Sequence, residues 1–195
     1  MNQVTLKHKH LAGFTIIELM LTVAVAAVIL TLGVPSFQGL MERNQLTTNI
    51  NRFISSLALA RSEAIKRNQR VVVCPSSDGA ACSNAGGYDN GWIIFVDANN
   101  NNARNDGEEL LWEGESIPTN MTLRGTNAYN TAIPYMPSGR LATGIAGSVR
   151  LCKSNNTNKA RAITLIQSGR VRLADHDSSG VPEINGGPMQ NCSTS

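Results

Sequence analysis

Histidine is nearly missing from this chain: His8 and His10 lie close to its start, and His176 stands alone in the remainder. A histidine pair for zinc or an imidazole relay for acid–base work therefore has little to build on. Aromatic residues make up only 5% and charged residues only 16% of the 195 positions. With abundant Asn, Ser, Thr and Gly, that balance fits an exported, turn-rich surface protein better than a cytosolic enzyme. No phosphate loop, nucleotide fingerprint or Ser/His/Asp set occurs in the strand and helix context it needs, and Gly86-Gly87 and Gly186-Gly187 read as turns. Neither an enzyme nor a bound cofactor is expected. The length suits one packed domain with an accessory helix.

Acid is missing from one long region. Between positions 116 and 174 there is no Asp or Glu, while Arg124, Arg140, Arg150, Lys153, Lys159, Arg161, Arg170 and Arg172 all fall there. From 78 to 115 the balance reverses, and Arg104 is the one cation among many carboxylates. Cys74, Cys82, Cys152 and Cys192 lack Cys-x-x-Cys spacing and nearby histidines, so disulfides in an exported domain are expected over a metal cluster.

The start of the chain supplies the reason for export. Residues 14–34 are apolar apart from Thr15, Glu18, Thr22 and Thr31, long enough to cross a bilayer as a helix. A polar leader, MNQVTLKHKHLAG, precedes this run, and Lys7 and Lys9 would hold that end in the cytoplasm. An ordinary signal peptide places its small-residue cleavage site after the apolar run; here Gly13 comes before it. A carboxylate at Glu18 inside such a span costs about 3 kcal/mol and needs a partner. Cutting after Gly13 would free the amine of Phe14, four residues away and on the same helical face, to pair with Glu18 within a subunit or across to a neighbour.

Gly13, Phe14, Thr15 and Glu18 in GFTIIEL closely resemble the prepilin cleavage motif of type IV pilins and type II secretion pseudopilins. The resemblance implies a membrane peptidase that cuts after Gly13 and methylates Phe14, and assembly through Glu18 into a filament with other pilins. Further on, VVVCPSSDGAAC, GWIIFVDANNNNARNDGEELL and RAITLIQSGRVRL resemble the FimT/GspH branch of that superfamily. The implied life history is a single-pass precursor in the bacterial inner membrane with a periplasmic domain, later carried to a pilus at the cell surface.

Beyond the apolar run, Pro35 predicts an interruption or kink. Mixed three- and four-residue apolar steps from Phe37 to Ile65 then predict an amphipathic helix to about Arg67. Val-, Ile-, Leu- and Trp-rich runs predict strands at 70–74, 91–97, 109–113, 121–124, 132–136, 148–152, 160–167 and 170–173, with Ser168-Gly169 as a two-residue hairpin turn. The expectation is an α+β fold, pilin-like: a leader over 1–13, a transmembrane helix over 14–34, an amphipathic helix over 35–67 and an antiparallel β-sheet domain over 68–195. Of three possible cysteine pairings, Cys74 with Cys82 and Cys152 with Cys192 is favoured, the first as a short loop that closes readily and the second as a tie for the tail.

Two stretches invite a metal. Asp97, Asn99, Asn101, Asn105 and Glu108 fall in an EF-hand-like register, but Asn102 stands where a calcium loop needs Gly, so a polar hairpin loop is expected instead. Asp175, His176 and Asp177 sit beside a Ser-Ser-Gly turn with no second histidine at hand.

The basic region carries the sharper suggestion. In Gly169-Arg170-Val171-Arg172 the arginines are two residues apart, hence on one face of a strand, where two guanidinium forks suit adjacent phosphates of a nucleic-acid backbone. Arg150, Lys153, Lys159 and Arg161 could enlarge the patch. The residues alone favour equally a solvated face or an ion pair between subunits, made with the acidic half. GRVR also resembles the Gly-Arg-x-Arg element of FimT proteins that bind DNA in natural transformation, which implies double-stranded DNA contacts at Arg170 and Arg172. The rival expectation is a purely structural subunit, either a minor pilin priming pilus assembly or a GspH-type pseudopilin of a type II secretion system.

Overall fold

The computed structural model describes residues 13–83, 86–184 and 186–192, without the side chains of 32–36 and 127–128. The leader up to position 12, with Lys7 and Lys9, lies outside the described residues. Two compact units are present, Met1–Glu42 and Arg43–Ser195.

In the first unit helix α1 (Ile16–Arg67) begins. Thr15 caps it: the Glu18 amide donates to Thr15 Oγ1 at 3.3 Å, and Glu18 places an acidic side chain in the first turn. The described side chains from Gly13 to Thr31 are exposed, with Phe14 at 83% and Ile16 at 81%. Among the described residues no helix is long and apolar enough to cross a membrane; Leu32 to Val34, which complete the apolar run of the sequence, are among the undescribed side chains. Helical backbone continues through Pro35, where the sequence predicts an interruption. Proline removes a single backbone donor, a loss that long helical stretches on both sides can carry.

The second unit holds the end of α1. Leu46, Ile50, Phe53, Leu57, Ala60 and Ala64 recur every three or four residues and are buried as one stripe. Asn68 ends the helix in the left-handed conformation (φ 52°). Its amide donates to Ile65 O, and the Gln69 amide to Ala64 O, which together close a Schellman cap.

Against that stripe pack two four-stranded antiparallel sheets. The first has the order β3 (Leu110–Gly114), β2 (Trp92–Val96), β1 (Val71–Pro75), β5 (Ile133–Tyr135). Val71, Val73, Trp92 and Ile94 join the helix in the main core, where Phe53 meets Tyr88 and Trp92 at ring distances of 4.9 and 5.1 Å. Val72, Cys74, Ile93 and Phe95 alternate onto the opposite face, in a second cluster that Cys82 also touches. Both faces are covered, which explains why these strands read as unbroken apolar runs.

The second sheet has the order β4 (Met121–Gly125), β6 (Gly147–Lys153), β7 (Asn156–Leu165), β8 (Val171–Leu173). Its inner face gives Leu123, Val149, Leu151, Ile163 and Leu165 to the core. On the outer face Cys152 and Ala160 are covered by Met189 and Cys192 of the closing segment, which also forms a short ribbon, β9 (Glu183–Ile184) with β10 (Gly187–Pro188). The disulfides are Cys74–Cys82 and Cys152–Cys192, the pairing the sequence favoured. The α+β class is as expected, and all eight strands occur near their predicted places. The widest shift is at β7, which starts at polar Asn156: a register shift between Cys152 and Lys153 lets Asn156 pair with Lys153 while Ala160 pairs with Cys152.

Candidate functional site

Arg170 and Arg172 sit where the β7–β8 hairpin turns. The turn differs from the two-residue one expected: the Gly169 amide donates to Ile166 O at 2.8 Å and the Ile166 amide to Arg170 O at 3.1 Å, making a loop of Gln167, Ser168 and Gly169. Gly169 takes φ 79°, the left-handed position that closes such a loop with a bulge. Across the hairpin Arg172 pairs with Thr164 and Val171 with Leu165. Val171 packs on the core, so by alternation the arginines on either side of it share the outer face. Both are exposed, and neither side chain has a hydrogen bond or ion pair among the described residues.

The hairpin is held from below by the helix. Arg61 Nε donates to Gly139 O at 2.9 Å and its Nη2 to Ser168 O at 3.2 Å. The same guanidinium thus ties this turn to a second one, around Gly139. A side chain on Gly169 would place its Cβ 1.9 Å from Gly139 O, so only glycine lets the turns meet.

The other basic candidates do not join this end. Arg150 is half-buried and donates to Asn191 Oδ1 at 2.7 Å and Asn191 O at 3.2 Å, under the closing segment; burial lowers the pKa of its guanidinium. Arg161 donates to Ala160 O and meets His176 Nε2 at 3.0 Å. Lys153 and Lys159 both have partners of their own. They lie toward the β6–β7 turn, and at about 3.3 Å per residue Lys159 stands roughly 20 Å from the far end of β7. The single patch suggested by composition is therefore divided, because β7 separates its members along the strand.

The acidic region is largely spent within the fold. Arg52 pairs with Glu115 at 3.2 Å, Arg67 with Glu109 at 2.7 Å, Arg124 with Asp89 at 2.5 Å, and Arg70 with the buried Asp97 at 2.9 Å. Arg67 also bonds Glu63, whose pKa that hydrogen bond lowers. In the loop after β2, Asp97 accepts the amides of Asn101 and Asn102, and Glu108 accepts those of Ala98 and Asn105. Asn99 and Asn101 both donate to Asn105 Oδ1. The carboxylates that a calcium register would use are thus committed to the loop's own backbone and to Arg70. Asp177 likewise accepts the Ser179 and Val181 amides of its turn. No group of three or more His, Cys, Asp or Glu among the described residues could hold a metal ion.

Gly13, Phe14 and Glu18 are exposed at the start of α1, and Glu18 has no side-chain partner among the described residues. Thr15 and Glu18 occupy cap and third positions of the helix, a signal present in the sequence as Thr-x-x-Glu and additional to any role in assembly.

Residues 49–169 match the family model described as type II transport protein GspH. The match ends one residue before Arg170. The pilin-like protein PilA1 of Thermus thermophilus is 28% identical over 167 residues, spanning 83% of this chain and 97% of its own. The fold is shared with the type IV minor pilin FimU of Pseudomonas aeruginosa: in one crystal form 79% of this chain and 99% of that one superpose with a TM-score of 0.59 at 19% identity. In a second form the values are 76%, 100%, 0.56 and 18%. With 121 consecutive positions matched, from 49 to 169, the chain belongs to the family described as type II transport protein GspH.

Proposed function

We propose that this minor pilin-like subunit is cut after Gly13 by a prepilin peptidase, carries a methylated Phe14, and uses its domain to bind double-stranded DNA for uptake in natural transformation. Before assembly the apolar run 14–34 anchors the precursor in the inner membrane with the domain in the periplasm; afterwards the subunit belongs to a pilus at the cell surface. The uniformly exposed apolar side chains from Phe14 to Leu30 support the anchoring step, since such a surface demands lipid or neighbouring helices. The freed amine of Phe14 would neutralise Glu18 as subunits pack.

One observation carries the DNA reading: Arg170 and Arg172 are exposed and uncommitted in a stretch of sequence devoid of acid, while Asp89, Asp97, Glu109 and Glu115 of the acidic region are paired with other arginines. Guanidinium forks so placed contact phosphates, and such binding is salt-dependent and largely indifferent to sequence. The test is a duplex-DNA titration of Arg43–Ser195, a unit with its own core and both disulfides. The wild-type domain is expected to bind and to weaken with salt, and Arg170→Gln/Arg172→Gln to lose most of the affinity. Undiminished binding by that folded double variant removes these arginines from the mechanism.

The structural alternative has its own support. Edge strand β3 exposes Leu110 and Trp112 beside a cleft lined by Arg52, Trp92 and Glu115, a surface suited to another pilin or pseudopilin. On that reading the domain binds no DNA at physiological salt.

A further inference from the structure

We propose that Arg140 is a third phosphate contact of the same nucleic-acid site, presented by a second hairpin turn that is the structural twin of the one before Arg170. The inference rests on the DNA reading of Arg170 and Arg172.

The tripeptide Ser-Gly-Arg occurs twice, at 138–140 and at 168–170. Both copies fold alike. In the first, the Gly139 amide donates to Met136 O and the Met136 amide to Arg140 O, each at 2.8 Å; in the second, Gly169 and Ile166 make the same two bonds with Ile166 O and Arg170 O. The glycines adopt φ 74° and 79°. Each arginine is thus the first residue after a left-handed glycine, and its own carbonyl is fixed across its loop.

The twins are docked on one another. Leu141 N donates to Gln167 O at 3.2 Å, Gly139 O abuts Gly169, and Arg61 bonds a carbonyl of each turn. The two segments therefore run antiparallel, with 139 beside 169 and 141 beside 167. Arg140 and Arg170 become diagonal neighbours, about 7–8 Å apart at the backbone. One DNA strand carries a phosphate for roughly every 3.4 Å of axis, so forks at that spacing can engage the same strand.

Arg140 is exposed, and like Arg170 and Arg172 its side chain has no partner among the described residues. The stretch 116–174 that carries all three contains no Asp or Glu. In a second copy of this chain, four carboxylates of the acidic region, Asp89, Asp97, Glu109 and Glu115, are already paired with arginines of their own. A phosphodiester backbone is the ligand that supplies closely spaced anions, and three rigidly based forks give a site that follows the strand.

The experiment measures duplex-DNA affinity of Arg43–Ser195 against salt for the wild type, Arg140→Gln, Arg170→Gln/Arg172→Gln and Lys159→Gln, with circular dichroism and melting as folding controls. Arg140→Gln is expected to bind about tenfold more weakly at moderate salt, with the slope of log affinity against log salt reduced by about 0.9, one phosphate's worth. Lys159→Gln removes the same charge from the remote end of β7 and is expected to leave the slope unaltered. If the double variant loses binding while Arg140→Gln matches wild type, the inference fails and the DNA reading stands. A wild-type domain that ignores DNA overturns both. Equal losses from Lys159→Gln and Arg140→Gln would mean diffuse charge and overturn the third contact, and poly-glutamate competing as well as DNA of equal charge would reassign the turns to an acidic protein surface.

Discussion

Gly169 concentrates two constraints in one position. Its φ of 79° is a conformation that side chains resist, and a Cβ there would stand 1.9 Å from Gly139 O. Gly180, with φ 81° and nothing within 4 Å, carries the first constraint without the second. Gly169→Ala is therefore expected to cost roughly 1–3 kcal/mol and Gly180→Ala about 1 kcal/mol. Urea denaturation of the two variants checks this, and equal midpoints would show that the turns can part at no expense. The same residue shows what local pattern reveals. Ser168-Gly169 announces a turn through its glycine, but the close approach of Gly139 involves a partner thirty positions earlier, 169 against 139, and leaves no mark in the neighbourhood of either.

Helix α1 makes its polar contacts with the candidate site through Arg61. Arg61 sits among helix residues that pack the core and donates to carbonyls of two different turns, Gly139 and Ser168. Arg61→Met keeps the length of the stem but leaves both carbonyls without that donor, so a loss of about 1–3 kcal/mol is expected. Hydrogen exchange should quicken first at the Gly139 and Gly169 amides; uniform change across the domain would mean that Arg61 supports the fold in general and not the turns. Elements of this kind were legible to different degrees. The strands announced themselves as apolar runs, since β1 and β2 are buried on both faces and need no alternation to be seen. The polar start of β7 did not, because Asn156 pairs with Lys153 across a register shift through backbone groups that any side chain allows. The basic patch was legible as composition only: its division follows from the direction of β7, and the place of Arg140 beside Arg170 from the docking of two hairpins. A repeated Ser-Gly-Arg was the one available hint.

For the domain as a whole, the two disulfides serve unequal tasks. Cys74–Cys82 closes a short loop over one face of the first sheet, whereas Cys152–Cys192, forty positions apart, straps the closing segment across the outer face of the second. Chain-entropy reasoning gives about 4 kcal/mol for the longer loop and about 2.6 kcal/mol for the shorter. Cys152→Ser/Cys192→Ser should thus lower the denaturation midpoint more than Cys74→Ser/Cys82→Ser, and the opposite order would show that burial beside Phe95 outweighs loop length.

The internal pairing of the carboxylates has an effect at long range. With Asp89, Asp97, Glu109 and Glu115 ion-paired nearby and Arg140, Arg170 and Arg172 left without partners at the hairpin end, the domain would carry an electric moment larger than its modest net charge alone implies. Near a polyanionic rod it would experience a torque before any contact, and arrive already facing the right way.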